Sequence, residues 1–222
     1  DRISSSSSNY STFTSTGKIA ASGNIMSLLY GDDYEGQVSL SGKDYCFYYL
    51  FYNCSSLTTA PELPATTLAE GCYEYMFYGC TSLTSAPVLP AITLANSCYF
   101  DMFYDCTSLT QAPKLPATEL TEMCYVYMFQ GCTSLTTAPE LPATTLAEGC
   151  YAYMFKGCTS LTSAQELPAT ELVDACYVYM FGGCTSLTTA PELQATTLAE
   201  GCYLGMFEGC TKLNYVKAYF TT

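Results

Sequence analysis

Fourteen cysteines recur through this chain at a single period. Cys46, Cys72, Cys98, Cys124, Cys150, Cys176 and Cys202 follow one another at intervals of 26 residues, and each has a second cysteine eight residues on, from Cys54 to Cys210, without insertion or deletion. A catalytic or metal site occurs once, whereas a motif that recurs in this way is architecture. Repeats of about 20–50 residues belong to solenoids, propellers or arrays, in which each unit buries its apolar face only against its neighbours. Six full repeats run from 46 to 201, and a seventh begins at Cys202 and stops at Thr222.

The apolar positions inside one repeat define its elements. In TTLAEGCYEYMFYGC, Leu68, Cys72, Tyr73, Met76, Phe77 and Cys80 are spaced as the stripe of an amphipathic helix. Thr67 with Glu70 has the form of a capping box, repeated at Thr145 with Glu148 and Thr197 with Glu200, and Gly79 suits the helix end. The acidic residues Glu70, Glu122, Glu148, Asp174 and Glu200 then fall at helix starts, where the helix dipole accounts for them. Downstream, Leu83, Ala86 and Leu89 with Pro87 and Pro90 predict a short strand around Thr84–Pro87 and an extended turn. The fold class predicted is a right-handed α/β repeat solenoid of leucine-rich-repeat type, with short strands and short helices.

The run Phe77, Cys80, Leu83, Leu89, Pro90 resembles the AFxxCxxLxxVxIP core of the BspA-like leucine-rich-repeat surface proteins of host-associated bacteria, with Met76 where that family usually has Ala. The likeness spans every repeat. It departs in a longer TTLAEG turn and in a Pro ahead of the strand's last apolar residue. What the resemblance implies is an extracellular or cell-surface protein for adhesion or ligand binding.

Residues 1–45 lie outside the repeat. Ser4–Ser8 is low in complexity, so residues 1–9 read as a flexible lead-in. Residues 10–45 carry enough apolar side chains, among them Ile19, Ile25, Leu28 and Leu29, to cover an open solenoid end, with VSLSGKDYC a partial repeat whose turn is two residues longer. Residues 46–222 are the solenoid. At its far end, LNYVKAYFTT reads either as a closing strand or as a point where a longer parent was cut.

Across a helix, thiols eight residues apart stand about 12 Å from one another, beyond the reach of a disulfide. Each column also holds an odd number of members. Buried, reduced thiol ladders are therefore favoured over some disulfide pairing, and metal comes last because zinc-binding cysteines sit two to four residues apart. The PxxP strings PELP and PVLP recur at one place in the coil and read as turn-shaping prolines rather than groove ligands. The segment GDDYEG lacks the alternating spacing of an EF-hand loop and reads as a polar turn.

No enzyme emerges from this inventory. The chain has no histidine, which removes the commonest general base and most catalytic zinc sites. No cofactor or metal is expected. A formal charge of −13 argues against nucleic acid and anionic lipid as partners. No stretch approaches the roughly 18–20 consecutive apolar residues of a membrane span, and the start at Asp1 shows no signal-peptide pattern.

The partner expected is an extracellular protein or glycan. The Met and Phe columns and the Tyr73–Tyr203 column lie on the stripe and are predicted core, the tyrosine hydroxyls finding backbone partners. Tyr75, Tyr127, Tyr153 and Tyr179 lie off it. Variation between repeats concentrates after the Phe column, at Tyr78, Tyr104, Gln130 and Lys156; before it, at positions such as Glu74, Phe100 and Val126; and by the strand, at positions such as Val88 and Lys114. The off-stripe tyrosines and the first of these sets are the candidate ligand contacts, against the bland reading, favoured for the tyrosines, that they are filler and that varied positions are only solvent-exposed and unconstrained. Three readings remain open at this level: a protein-binding adhesin, a glycan-binding accessory protein, and a passive spacer or stalk of a larger surface protein.

Overall fold

A unit of constant length with an apolar stripe has to bury that stripe on the next copy of itself. The computed structural model of the chain, which describes residues 8–220, shows this stacking throughout. Parallel pairings such as Thr67 with Thr93, Thr137 with Ser163, Ser163 with Thr189 and Leu167 with Leu193 join residues 26 apart, so equivalent side chains form columns. Phe51 to Phe207 stack at ring-centroid spacings of 5.5–5.8 Å with planes within 10° of parallel. Tyr73 to Tyr203 stack likewise at 5.7–5.8 Å, with planes within 11° of parallel. Together with the Met, Leu and Cys columns they form one continuous core along the stack. The chain is a leucine-rich-repeat solenoid.

The helix predicted across Leu68–Cys80 is not formed. A helix is about 10 Å across, and columns spaced by less than 6 Å leave no room for one in every repeat. The backbone instead runs through consecutive tight turns. Cys72, Glu74, Met76, Tyr78 and Cys80 each donate to the carbonyl three residues back, while the alternate residues Gly71, Tyr73, Tyr75, Phe77 and Gly79 donate to carbonyls of the next repeat, 25 residues on. The scheme recurs in every repeat that has a successor. It accounts for each N–H of the segment, which an apolar interior demands. Every fourth residue takes a positive φ, as at Gly71 (54°), Tyr75 (55°) and Gly79 (68°).

With the helix goes the capping box. Thr67 pairs in parallel with Ser39 and Thr93, and the Glu70 carboxylate accepts the Tyr45 hydroxyl at 2.8 Å. No helix dipole accounts for the acidic column either; Asp174, for example, accepts the backbone N–H of Glu200 at 3.0 Å. Around the predicted Thr84–Pro87 strand the ladder is one residue wide where it forms, at Thr137, Ser163 and Thr189, because the following proline has no N–H to extend it.

Regular elements gather at the N-terminal end: β1 (Ile19–Ala20), α1 (Ser27–Tyr30) and β2 (Leu57–Thr59), with GDDYEG beginning in a single 3₁₀ turn, Gly31–Tyr34. β1 pairs in parallel with β2, Phe13 N–H donates to Leu50 O, and Asn24 and Ser39 pair with Glu62 and Thr67. Residues 10–40 thus lie over the first repeat as a preceding coil. The Ser39–Thr67 offset of 28, against 26 for Thr67–Thr93, is the two-residue lengthening expected. Of the predicted lead-in 1–9, residues 1–7 lie outside the described residues. At the other end Ala218 pairs with Leu193 and Phe220 stacks on Tyr203 at 5.9 Å. Among the described residues no helix is long and apolar enough to cross a membrane.

All fourteen cysteines are buried. From Cys80 to Cys210 the thiols of the second column each donate to the carbonyl of the Phe 29 residues earlier, as Cys106 does to Phe77 O at 3.1 Å and Cys132 to Phe103 O at 3.1 Å. A sulfur needs its proton to do this, so the geometry belongs to reduced thiols. Burial pushes these thiols up from their ordinary pKa.

Candidate binding surface

The turn run projects three adjoining columns outward. Two, three and six residues after the first cysteine of each repeat come side chains on the outer side of the turns, and the middle one of these columns carries a positive φ throughout: Tyr49, Tyr75, Asp101, Tyr127, Tyr153 and Tyr179, at 49–59°. A left-handed conformation costs a non-glycine residue about 1–2 kcal/mol, yet only the last repeat has glycine here, Gly205.

The tyrosines form a continuous, half-buried aromatic face. Tyr52, Tyr78 and Tyr104 stack in file at 5.0 and 4.5 Å, and Gln130 Nε2 donates to the Tyr104 hydroxyl at 3.0 Å. In the neighbouring column Tyr49 meets Tyr75 at 4.8 Å, and Tyr127, Tyr153 and Tyr179 stack at 4.7 and 5.3 Å. Asp101 interrupts that column. Phe100 bridges the gap, its ring 5.7 Å from Tyr75 and 5.8 Å from Tyr127. Lys156 Nζ sits over the Tyr153 and Tyr179 rings at 5.2 and 5.3 Å.

Two carboxyls lie in the N-terminal half of this face. Asp101 is 5% exposed; it accepts a hydrogen bond from the Tyr75 hydroxyl, and its Oδ1 has no partner. Burial first, and the nearby Glu74 second, push its pKa up to about 7. Glu74 is likewise raised to about 7, by burial and then by Glu70. Both are thus poised between neutral and charged forms at neutral pH.

The structure brings all eight predicted contact residues onto this one face. Tyr75, Tyr78 and Tyr104 lie toward its N-terminal end, and Tyr127, Gln130, Tyr153, Lys156 and Tyr179 continue it. Sequence reasoning placed Glu74 and Phe100 in a column that varies between repeats but missed Asp101, although an aspartate in a tyrosine column was visible. The tyrosines of the inner column are buried as expected, but the Tyr73 hydroxyl finds no partner. Elsewhere, an apolar cavity of about 470 Å³ beneath the N-terminal coil is lined by Phe13, Ile19, Ile25, Leu28, Phe51 and Pro61. It brings together no titratable group, and so offers packing rather than chemistry.

The sequence profile of the BspA type leucine rich repeat region matches this chain in six copies, over residues 42–136 and 101–221. Among solved structures, the Treponema pallidum (T. pallidum) leucine rich repeat protein TpLRR is similar over 92% of this chain and 81% of its own, at 20% identity and a TM-score of 0.50. A leucine-rich repeat protein from Bacteroides ovatus matches at 24% identity and a TM-score of 0.44, over 77% of this chain and 50% of its own. A leucine rich cell surface protein from Faecalibacterium prausnitzii matches at 17% identity and a TM-score of 0.31, over 89% and 59%. No curated protein matches the chain.

Proposed function

We propose, for a chain that belongs to the BspA-type leucine-rich-repeat family, a non-enzymatic role in binding or adhesion at a bacterial cell surface, with the tyrosine face as its contact surface and an extracellular protein as its ligand. The observation that carries this reading is the file of left-handed tyrosines. Strain held at one column through the stack, where glycine would remove it, points to a use for the side chain. Tyrosine is also the residue most suited to such a use, being large, rigid and amphipathic, and it is enriched where proteins bind one another. The columns in which the repeats differ most, those of Glu74 and Tyr78, border this same file, so selectivity has a place to be written.

The test compares the intact chain with a Tyr78→Ala, Tyr104→Ala variant on an array of immobilised extracellular proteins and on a glycan array. Binding on the protein array that falls at least tenfold in the variant is the expected result. Equal binding by both proteins removes the face from the reading. Binding confined to the glycan array replaces the protein ligand by a sugar, and no binding on either leaves a spacer.

A further inference from the structure

We infer that the N-terminal half of the tyrosine face, around Asp101, docks lysine or arginine side chains of a protein partner. This rests on the binding role proposed above and specifies the chemistry of the ligand.

The face already seats one ammonium. Lys156 lies over the tyrosine of its own repeat and that of the next, at 5.2 and 5.3 Å, which is cation–π geometry. Shifted three repeats back, the same place is Tyr78, and the two groups beneath it are Tyr75 and Asp101: a ring on one side and a carboxyl on the other. That place is filled by the Tyr78 ring, stacked on Tyr104 at 4.5 Å, and a cation that displaces the ring gains an ion pair with Asp101 in addition to the Tyr75 ring face. Nothing in the described chain supplies one. Lys43 is placed over Tyr30 at 5.5 Å and Lys217 is held by Glu192 at 2.9 Å, in a chain with 7 basic against 20 acidic residues.

Asp101 shows what is missing. A carboxyl oxygen without a partner in a residue that is 5% exposed is a costly arrangement, and Glu74 beside it adds a like charge. An ammonium or guanidinium that enters as the Tyr78 ring swings aside relieves both at once. The aromatic surface extends over several repeats, from Tyr52 through Tyr78 to Tyr104, more than one side chain covers. A protein segment bearing several basic residues therefore fits it better than a free small cation does.

The probe is fluorescein-labelled octalysine, titrated by anisotropy against the 222-residue chain. Three variants are compared, each checked for an unchanged far-UV spectrum. Asp101→Asn with Glu74→Gln removes the two carboxyls. Glu119→Gln with Glu171→Gln removes, in titrations run at pH 9 where the raised carboxyls of Asp101 and Glu74 are also ionised, the same charge at exposed positions elsewhere. Tyr78→Lys tethers an ammonium at the proposed place without removing any acid. The expected result is about a tenfold loss of affinity in the first and third variants and less than a twofold loss in the second. An equal loss in the two charge-matched variants overturns the proposal, because attraction is then only to net charge; so does octalysine that binds no variant and no wild type, or a Tyr78→Lys variant that binds it undiminished. If the tyrosine variants lose their protein ligand while octalysine fails to compete for it, the cationic chemistry is wrong and the contact face stands. If they keep that ligand, the face itself is wrong.

Discussion

Asp101 is the residue at which local chemistry and stability meet. Its pKa in the folded chain, about 7, lies above the roughly 4 of an exposed aspartate, so the folded state holds a proton that the unfolded state releases. The contribution to stability is complete below pH 4 and is lost as pH rises through 7. The melting temperature is expected to be higher at pH 5 than at pH 8, and Asp101→Asn, which suits the 54° φ and keeps an acceptor for Tyr75, flattens that dependence. A variant with the same pH profile as the wild type would show that the proton sits elsewhere. At Phe129 the effect is one of volume. Stacked between Phe103 and Phe155 at 5.6 and 5.7 Å, it leaves on truncation to Ala a void that two neighbouring repeats cannot close, at a cost of about 3–5 kcal/mol, measurable by urea denaturation. The thiols behave as core. Ellman's reagent should leave the native cysteines largely untouched and label them all in denaturant, with Cys210, 9% exposed at the end of its column, reacting first. A native protein that labels at once would contradict the thiol-to-carbonyl hydrogen bonds.

At the scale of the repeat, the prediction is that a unit can be taken out whole. Excising residues 124–149 rejoins Met123 to Cys150 in register, and every interface type survives. The shortened chain is expected to fold, with a lowered melting temperature. An unfolded product would mean that the repeat boundaries are wrong. These boundaries, the columns and the inward faces of Phe, Met and Leu were legible because stacking pins them at a fixed period. The path of the backbone within the unit was not. Spacings of four, one, three, one and three suit a run of turns with period four as well as a helix with period 3.6, because between Leu68 and Cys80 the two drift apart by only about a third of a turn. The discriminating signal lay at the second column before each Thr-Ser-Leu or Ser-Ser-Leu step: Asn53, Gly79, Asp105, Gly131 and Gly157 are the residue types that accept a left-handed conformation. The face was legible for the converse reason, since tyrosines off the stripe have nowhere inward to go. The role of Asp101 was not, because it depends on Phe100 leaning across from the adjacent column.

Taken whole, the molecule is held together by one kind of stacked interface repeated along its length, and excess EDTA is expected to leave the melting temperature unchanged; a collapse would direct attention to Asp32, Asp33 and Glu35. The alternating hydrogen bonds of the turn run have a further consequence. In an ordinary sheet successive peptide groups point in opposite directions and their fields nearly cancel. Within the turn run the groups that join one repeat to the next all point the same way, N–H toward the C-terminal repeat and C=O toward the N-terminal one, and they outweigh the sparser opposite bonds on the strand side, such as Thr110 N–H to Thr84 O. Their moments add along the stack, as they do along a helix, but with the opposite sense relative to the chain. The rod is electrically polarised, with its positive pole at the seventh repeat and its negative pole at the first, and two such rods attract end to end only when they run in the same direction.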